Sequence, residues 1–143
     1  MLPSVNKITI GPALFNANTA LKLLYDRIRC VGMTFHFNPA AAMTASGTCC
    51  MFIDYRDDTT VDSLAKAVRT QGAVEFSPWK KCLVVWRPQG PLDETYIAST
   101  SSGAFNSALT ATFQVYGEGL PTSGLVGYIH ASAVLEYTGR QTA

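Results

Sequence analysis

Val31-Gly32-Met33-Thr34-Phe35-His36-Phe37 is the stretch that decides the fold. Its large apolar side chains recur at every second position, with Gly32, Thr34 and His36 between them. In an extended chain that spacing puts one apolar row on one face, the pattern of a half-buried β-strand. Asn38-Pro39 stops it, because proline brings no N–H to a ladder. Downstream, past the small-residue loop Ala40 to Ser46 and the turn at Gly47, Thr48 to Tyr55 is almost continuously apolar and reads as a central strand buried on both faces. Upstream, Lys7 to Ile10 alternates and is closed by Gly11-Pro12. Before Arg29, where the period becomes two, Asn18 or Thr19 is placed to cap a helical segment of about two turns. Ala20, Leu21, Leu23, Leu24 and Ile28 share its apolar face.

The remainder of the chain repeats the strand theme. Asp57 and Asp58 end the central strand. Thr60 or Asp62 then caps a second helix through Val61, Leu64, Ala65 and Val68, closed by Gly72. Val74 to Phe76, Lys81 to Arg87 and Thr95 to Ser99 read as short strands, broken by Pro78 and by Pro88-Gln89-Gly90-Pro91. A serine-rich loop runs from Ser99 to Ser107. Leu109, Ala111, Phe113 and Val115 form one face of a further strand, and Thr110, Thr112, Gln114 and Tyr116 the other. After turns at Gly117, Gly119, Pro121 and Gly124, Leu125 to Tyr137 is the last strand, with Ile129, Ala131, Ala133, Leu135 and Tyr137 on one face. Many short strands between Gly, Pro and Ser turns predict an all-β chain, an eight-stranded antiparallel jelly-roll β-sandwich with two short helical insertions. No linker or repeat divides residues 1–143, so one domain is expected.

Composition narrows the function. The chain is 48% hydrophobic and 15% charged, against about 25% charged in an ordinary soluble domain. The surplus apolar surface suggests burial by other subunits. No apolar run reaches the ~18–20 residues of a membrane helix, so no membrane partner is expected. The opening Met1-Leu2-Pro3-Ser4-Val5-Asn6-Lys7 does not read as a signal peptide. A net charge of +1 is far from the basic stripe of a dedicated nucleic-acid binder. Cys30, Cys49, Cys50 and Cys82 lack metal-ligand spacing and read as buried small hydrophobes in a reducing compartment.

The order of these features resembles the shell domain of small icosahedral virus coat proteins of the tombusvirus and sobemovirus type. In that family a helix runs into a strand ending in proline, as in Leu24-Tyr25-Asp26-Arg27-Ile28-Arg29 and Met33 to Pro39. A glycine-led strand then ends in an Asp-Tyr-Asp-like segment, here Asp54-Tyr55-Arg56-Asp57-Asp58. A Trp-containing segment follows, here Ser77-Pro78-Trp79-Lys80-Lys81. The closing strand is Gly127 to Tyr137, with Glu136-Tyr137 at its end. The resemblance spans roughly Ile8 to Tyr137. Arg56 departs from the family's second aspartate, and neither a basic N-terminal arm nor a protruding domain is present in this sequence.

The resemblance implies a structural, non-enzymatic coat protein. Many copies would assemble inside the host cell and form the virion around a single-stranded genome, RNA in preference to DNA. It also implies calcium between subunits at Asp54, Asp57 and Asp58, which fits that ion's appetite for carboxylates; no other cofactor is expected. The plainer reading is that Asp57-Asp58 form a turn and helix N-cap. Lys80, Lys81 and Arg87, flanking Trp79 and Trp86, are candidates to face nucleic acid, or else the solvated face of a strand. Lys7, Lys22, Arg27, Arg29 and Arg140 are alternative charges for an inner wall or interface. Leu21, Leu24, Tyr25, Leu64 and Val68, with the loops after Pro88 and Gly117, are candidate contacts between copies. His36 and His130 lack a Gly-x-Ser-x-Gly elbow or metal-spaced carboxylates, so no catalytic residue is assigned. The rival from another class is a carbohydrate-binding jelly roll, whose sugar-stacking aromatic would be Trp79, or a tumour-necrosis-factor-like trimeric one.

Overall fold

A computed structural model describes residues 4–40, 46–56, 61–99, 104–105, 111–120 and 126–140. The strands are β1 (Ser4–Thr9), β2 (Tyr25–Pro39), β3 (Thr48–Asp54), β4 (Val74–Phe76), β5 (Cys82–Trp86), β6 (Ile97–Ala98), β7 (Thr112–Glu118) and β8 (Gly127–Arg140). Two short helices interrupt them, α1 (Thr19–Leu24), reached through a kinked 3₁₀ segment at Pro12–Asn18, and α2 (Leu64–Arg69).

All pairings are antiparallel. The first sheet runs in the order β1-β7-β3-β4. In the second, β8 pairs with β2 along one edge from Tyr25 to Pro39, while β5 and β6 share the other edge. The chain therefore crosses between sheets after β1, β2, β4, β6 and β7. This is the jelly-roll sandwich that the sequence predicted, with eight strands. Because β5 and β6 lie end to end on one edge, the second sheet is three lanes wide among the described residues and faces a sheet of four.

The core lies between the sheets. Ile28, Cys30, Met33, Phe35 and Phe37 of β2 meet Cys49, Met51 and Ile53 of β3, Phe113 of β7, and Val84 and Trp86 of β5. Phe35 and Phe113 stack across the sandwich, with ring centroids 4.2 Å apart and planes 6° from parallel. Phe37 meets Phe76 at 4.7 Å. The four cysteines are free; burial pushes the thiols of Cys30, Cys49, Cys50 and Cys82 up to about 11, so they sit protonated, Cys30 and Cys49 in this core, Cys82 against it, and Cys50 on the other face of β3.

Three expectations change. Tyr25 to Ile28 belong to β2 rather than to the helix, and Ile28 is fully buried. Six residues make a marginal helix, and pairing with Ile97 and Tyr137 captures Ile28 in the ladder. Val31 is the second change. Cys30 and Gly32 pair with the consecutive residues Leu135 and Val134, so Val31 is the extra residue of a β-bulge and turns outward. The bulge explains why even-numbered residues are buried before it and odd-numbered ones after it.

The third change concerns the polar face of β7, which is not solvated. Thr112, Gln114 and Tyr116 are buried there. With Cys50 and Phe52 of β3, Tyr116 forms a second core that α2 covers through Ala67, flanked by Val61, Leu64 and Ala73. The polar atoms find partners: Gln114 Nε2 donates to Thr112 Oγ1 at 3.0 Å and the Tyr116 hydroxyl donates to Asp62 O at 3.3 Å. α2 is capped by Ser63, whose Oγ accepts from Lys66 N at 3.3 Å. Asp62 is not the cap; it pairs with Lys66 Nζ at 2.9 Å one turn on. Thr60 lies outside the described residues.

Phe35→Ala empties the stack at the centre of the core. It is expected to cost about 3–5 kcal/mol in urea unfolding, whereas Thr34→Ala, on the opposite face of the same strand, is expected to stay within about 1 kcal/mol.

Candidate functional site

The rim where β1 and β8 end their sheets is the first feature that a closed sandwich does not explain. β3 and β4 lie against β5 across the core. With the lane orders above, β1 overhangs the side of β8 that has no strand partner among the described residues. Ile8 pairs with Phe113 and Ile129 with Phe37, so both side chains turn inward with those buried rings. They are nevertheless 38% and 36% exposed. Among the described residues no strand lies beside β8 on that side, which accounts for both.

The second feature is the apolar side of α1. Leu21, Leu23 and Leu24 are exposed, Leu23 to 74%. Of the contact candidates, Leu21, Leu24 and Val68 are thus on the surface. Leu64 packs into the second core, and the Tyr25 ring leans on Tyr137 at 5.9 Å.

The basic candidates are not brought together. Lys80 and Lys81 lie at the turn before β5 and Arg87 just past its far end, about 20 Å away for an extended chain of that length. Trp86 cannot stack on a base, because the alternation of β5 turns Val84 and Trp86 inward and leaves Trp86 1% exposed. Trp79 is on the surface, 38% exposed, in the turn before β5. Arg87 instead borders a groove of about 360 Å³ together with Arg29, Val31, Pro88, Glu94 and Glu136.

That groove holds Arg29, one of the alternative charges, in a polar cluster whose other members the sequence did not single out. Arg29 and Glu136 are cross-strand partners. Arg29 Nε donates to Glu136 Oε2 at 2.8 Å and Nη2 approaches the same oxygen at 2.6 Å. The Tyr96 hydroxyl donates to it at 3.0 Å, and the guanidinium lies 4.8 Å from the Tyr96 ring centroid. The hydrogen bond from Arg29, with that from Tyr96, holds the Glu136 carboxyl below its ordinary value; the hydrogen bond to Glu136 raises Tyr96. The signal was present as a lone Glu in the last strand, but its partner depends on register.

Asp54 is 5% exposed at the end of β3, and its Oδ1 accepts from Arg56 N at 3.1 Å, an Asx-type turn. Asp57 and Asp58 lie outside the described residues. His36 and His130 face each other across β2 and β8. Among the described residues no group of three or more metal-ligating side chains forms, and no helix is long and apolar enough to cross a membrane.

No protein-family model matches the sequence, and no curated protein sequence is similar to it. Solved structures are. Tobacco necrosis virus superimposes with a TM-score of 0.82 at 17% identity, over 99% of this chain and 76% of that one. Cocksfoot mottle virus does so at 0.78 and 12% identity, over 97% and 76%. A capsid-protein deletion mutant of Penaeus vannamei nodavirus, in a T=1 subviral particle, gives 0.72 and 15% identity over 95% and 83%. At these identities the likeness is one of fold, and it extends over almost every residue of the chain.

Glu136→Gln tests the rim cluster through pH. A carboxyl held low in the folded state contributes stability that is present above its ordinary value of 4.5 and is lost as pH falls through its folded value. The melting temperature of the variant is expected to lie below that of the parent at neutral pH, with the difference shrinking as the pH is lowered past that range.

Proposed function

We propose that this chain is the shell-forming domain of an icosahedral virus coat protein. Many copies meet edge to edge and enclose a single-stranded genome, RNA in preference to DNA, in virions assembled inside the host cell. The observation that carries this reading is the whole-length likeness to tobacco necrosis virus at a TM-score of 0.82. A sandwich of two sheets offers its rims and loops to neighbours, and closed symmetry requires every copy to reuse them.

Two local features support self-association. The exposed leucines of α1 and the inward-facing but uncovered Ile8 and Ile129 are apolar surfaces that another subunit would remove from water. Genome contact in this reading is modest: with a net charge of +1, Lys80 and Lys81 supply a few phosphate contacts rather than a basic track. The inter-subunit calcium proposal keeps Asp54, Asp57 and Asp58 as its carboxylates, with Asp54 Oδ1 also accepting from Arg56 N.

Electron microscopy and light scattering of the purified chain test the reading. Closed spherical particles of uniform size are expected. A stable monomer or trimer under every assembly-promoting salt and pH would overturn it, the trimer in favour of a ligand-binding jelly roll. Leu23→Ser with Leu24→Ser is expected to shift the balance toward free subunits while the circular dichroism spectrum stays that of the parent.

A further inference from the structure

The outer face of the second sheet carries a feature that neither the core nor the proposed assembly uses. His36 of β2 and His130 of β8 are direct partners in the ladder. Their neighbours in sequence, Phe35 and Phe37 on one strand and Ala131 on the other, turn into the core, so both imidazoles project from the opposite face. His130 is exposed and His36 half-buried. Their ring centroids are 6.3 Å apart with planes tilted by 41°. Thr34 and Ser132 form the next outward pair along the ladder, Asn38 and Tyr128 the one on the other side, and Leu83 flanks His36 from β5.

We propose that His36 and His130 form a two-imidazole site for a divalent transition-metal ion, copper(II), nickel(II) or zinc(II). Directly opposed residues on antiparallel strands hold their Cβ atoms about 4.5–5.5 Å apart. Two nitrogens at about 2.0–2.1 Å from one tetrahedral metal lie roughly 3.3 Å from each other. Joining them through one ion requires rotation about χ1 and χ2 from the 6.3 Å centroid separation, with His130 exposed and His36 half-buried beside Leu83. Imidazole is the donor these ions prefer. Water completes the coordination. Such an ion clips β8, the rim strand, to β2. The site stands independently of the coat-protein reading.

Titration of the intact chain with copper(II) chloride, followed by calorimetry and by the copper spin-resonance spectrum, tests it. The expected result is one ion per chain with a nitrogen signature from two imidazoles, and a rise in melting temperature as the ion is added. His36→Gln and His130→Gln are surface changes. Each is expected to leave the metal-free melting temperature unchanged, to weaken binding by about tenfold or more, since the second imidazole no longer acts intramolecularly, and to abolish the metal-induced rise. Absence of binding to the parent chain, or equal affinity in parent and single variants, would overturn the site.

Discussion

Everything in this fold hangs from the inward row of β2. Ile28, Cys30, Met33, Phe35 and Phe37 come from one long strand, and each touches the opposite sheet or the strands beside it. The stack of Phe35 on Phe113 is the point at which the two sheets are held at a fixed spacing. An aromatic pair of this kind contributes about 0.5–1.5 kcal/mol beyond its buried area, but its larger effect is on register. A one-residue slip of β2 would turn the whole row to solvent. The register of β8 and β5 against β2 then follows, and with it the position of Glu136 beside Arg29 and of His130 beside His36.

The bulge at Val31 is the local price of that arrangement. It lets a strand that begins with buried even positions finish with buried odd ones. It also exposes Val31 at the groove that Arg29, Arg87 and Glu136 border. The irregularity therefore divides β2 functionally: its first half pairs with β6 and holds the ionic cluster, and its second half pairs with β5 and carries the aromatic core.

Among the described residues four lanes face three, which leaves a rim that is apolar yet wet. Buried side chains at the β5 side, such as Val84 and Trp86, are covered by both sheets, whereas Ile8 and Ile129 at the β1–β8 side are covered by one. Long unprotected edges are what sheets normally avoid, since they template further pairing. In a protein whose proposed task is to join copies of itself, such a rim fits the task.

Much of this was legible in order. Alternation over Met33 to Phe37, the continuous apolar run of β3, the breaks at Pro39 and Pro88 and the face shared by Ala131, Ala133, Leu135 and Tyr137 fixed an all-β sandwich of eight strands. These are short-range patterns, and a period of two needs no knowledge of partners. What tertiary structure decided was every choice between two locally acceptable answers. Ile28 suited a helix face until β6 and β8 paired with it; Val31 suited the core row until the bulge turned it out; Thr112, Gln114 and Tyr116 suited solvent until the fold buried them, Tyr116 beneath α2. The neighbours of Glu136, His130 and Ile129 lie far away in sequence, and the free energy that selects them comes from area buried between strands, a quantity that exists only once the sheets have closed.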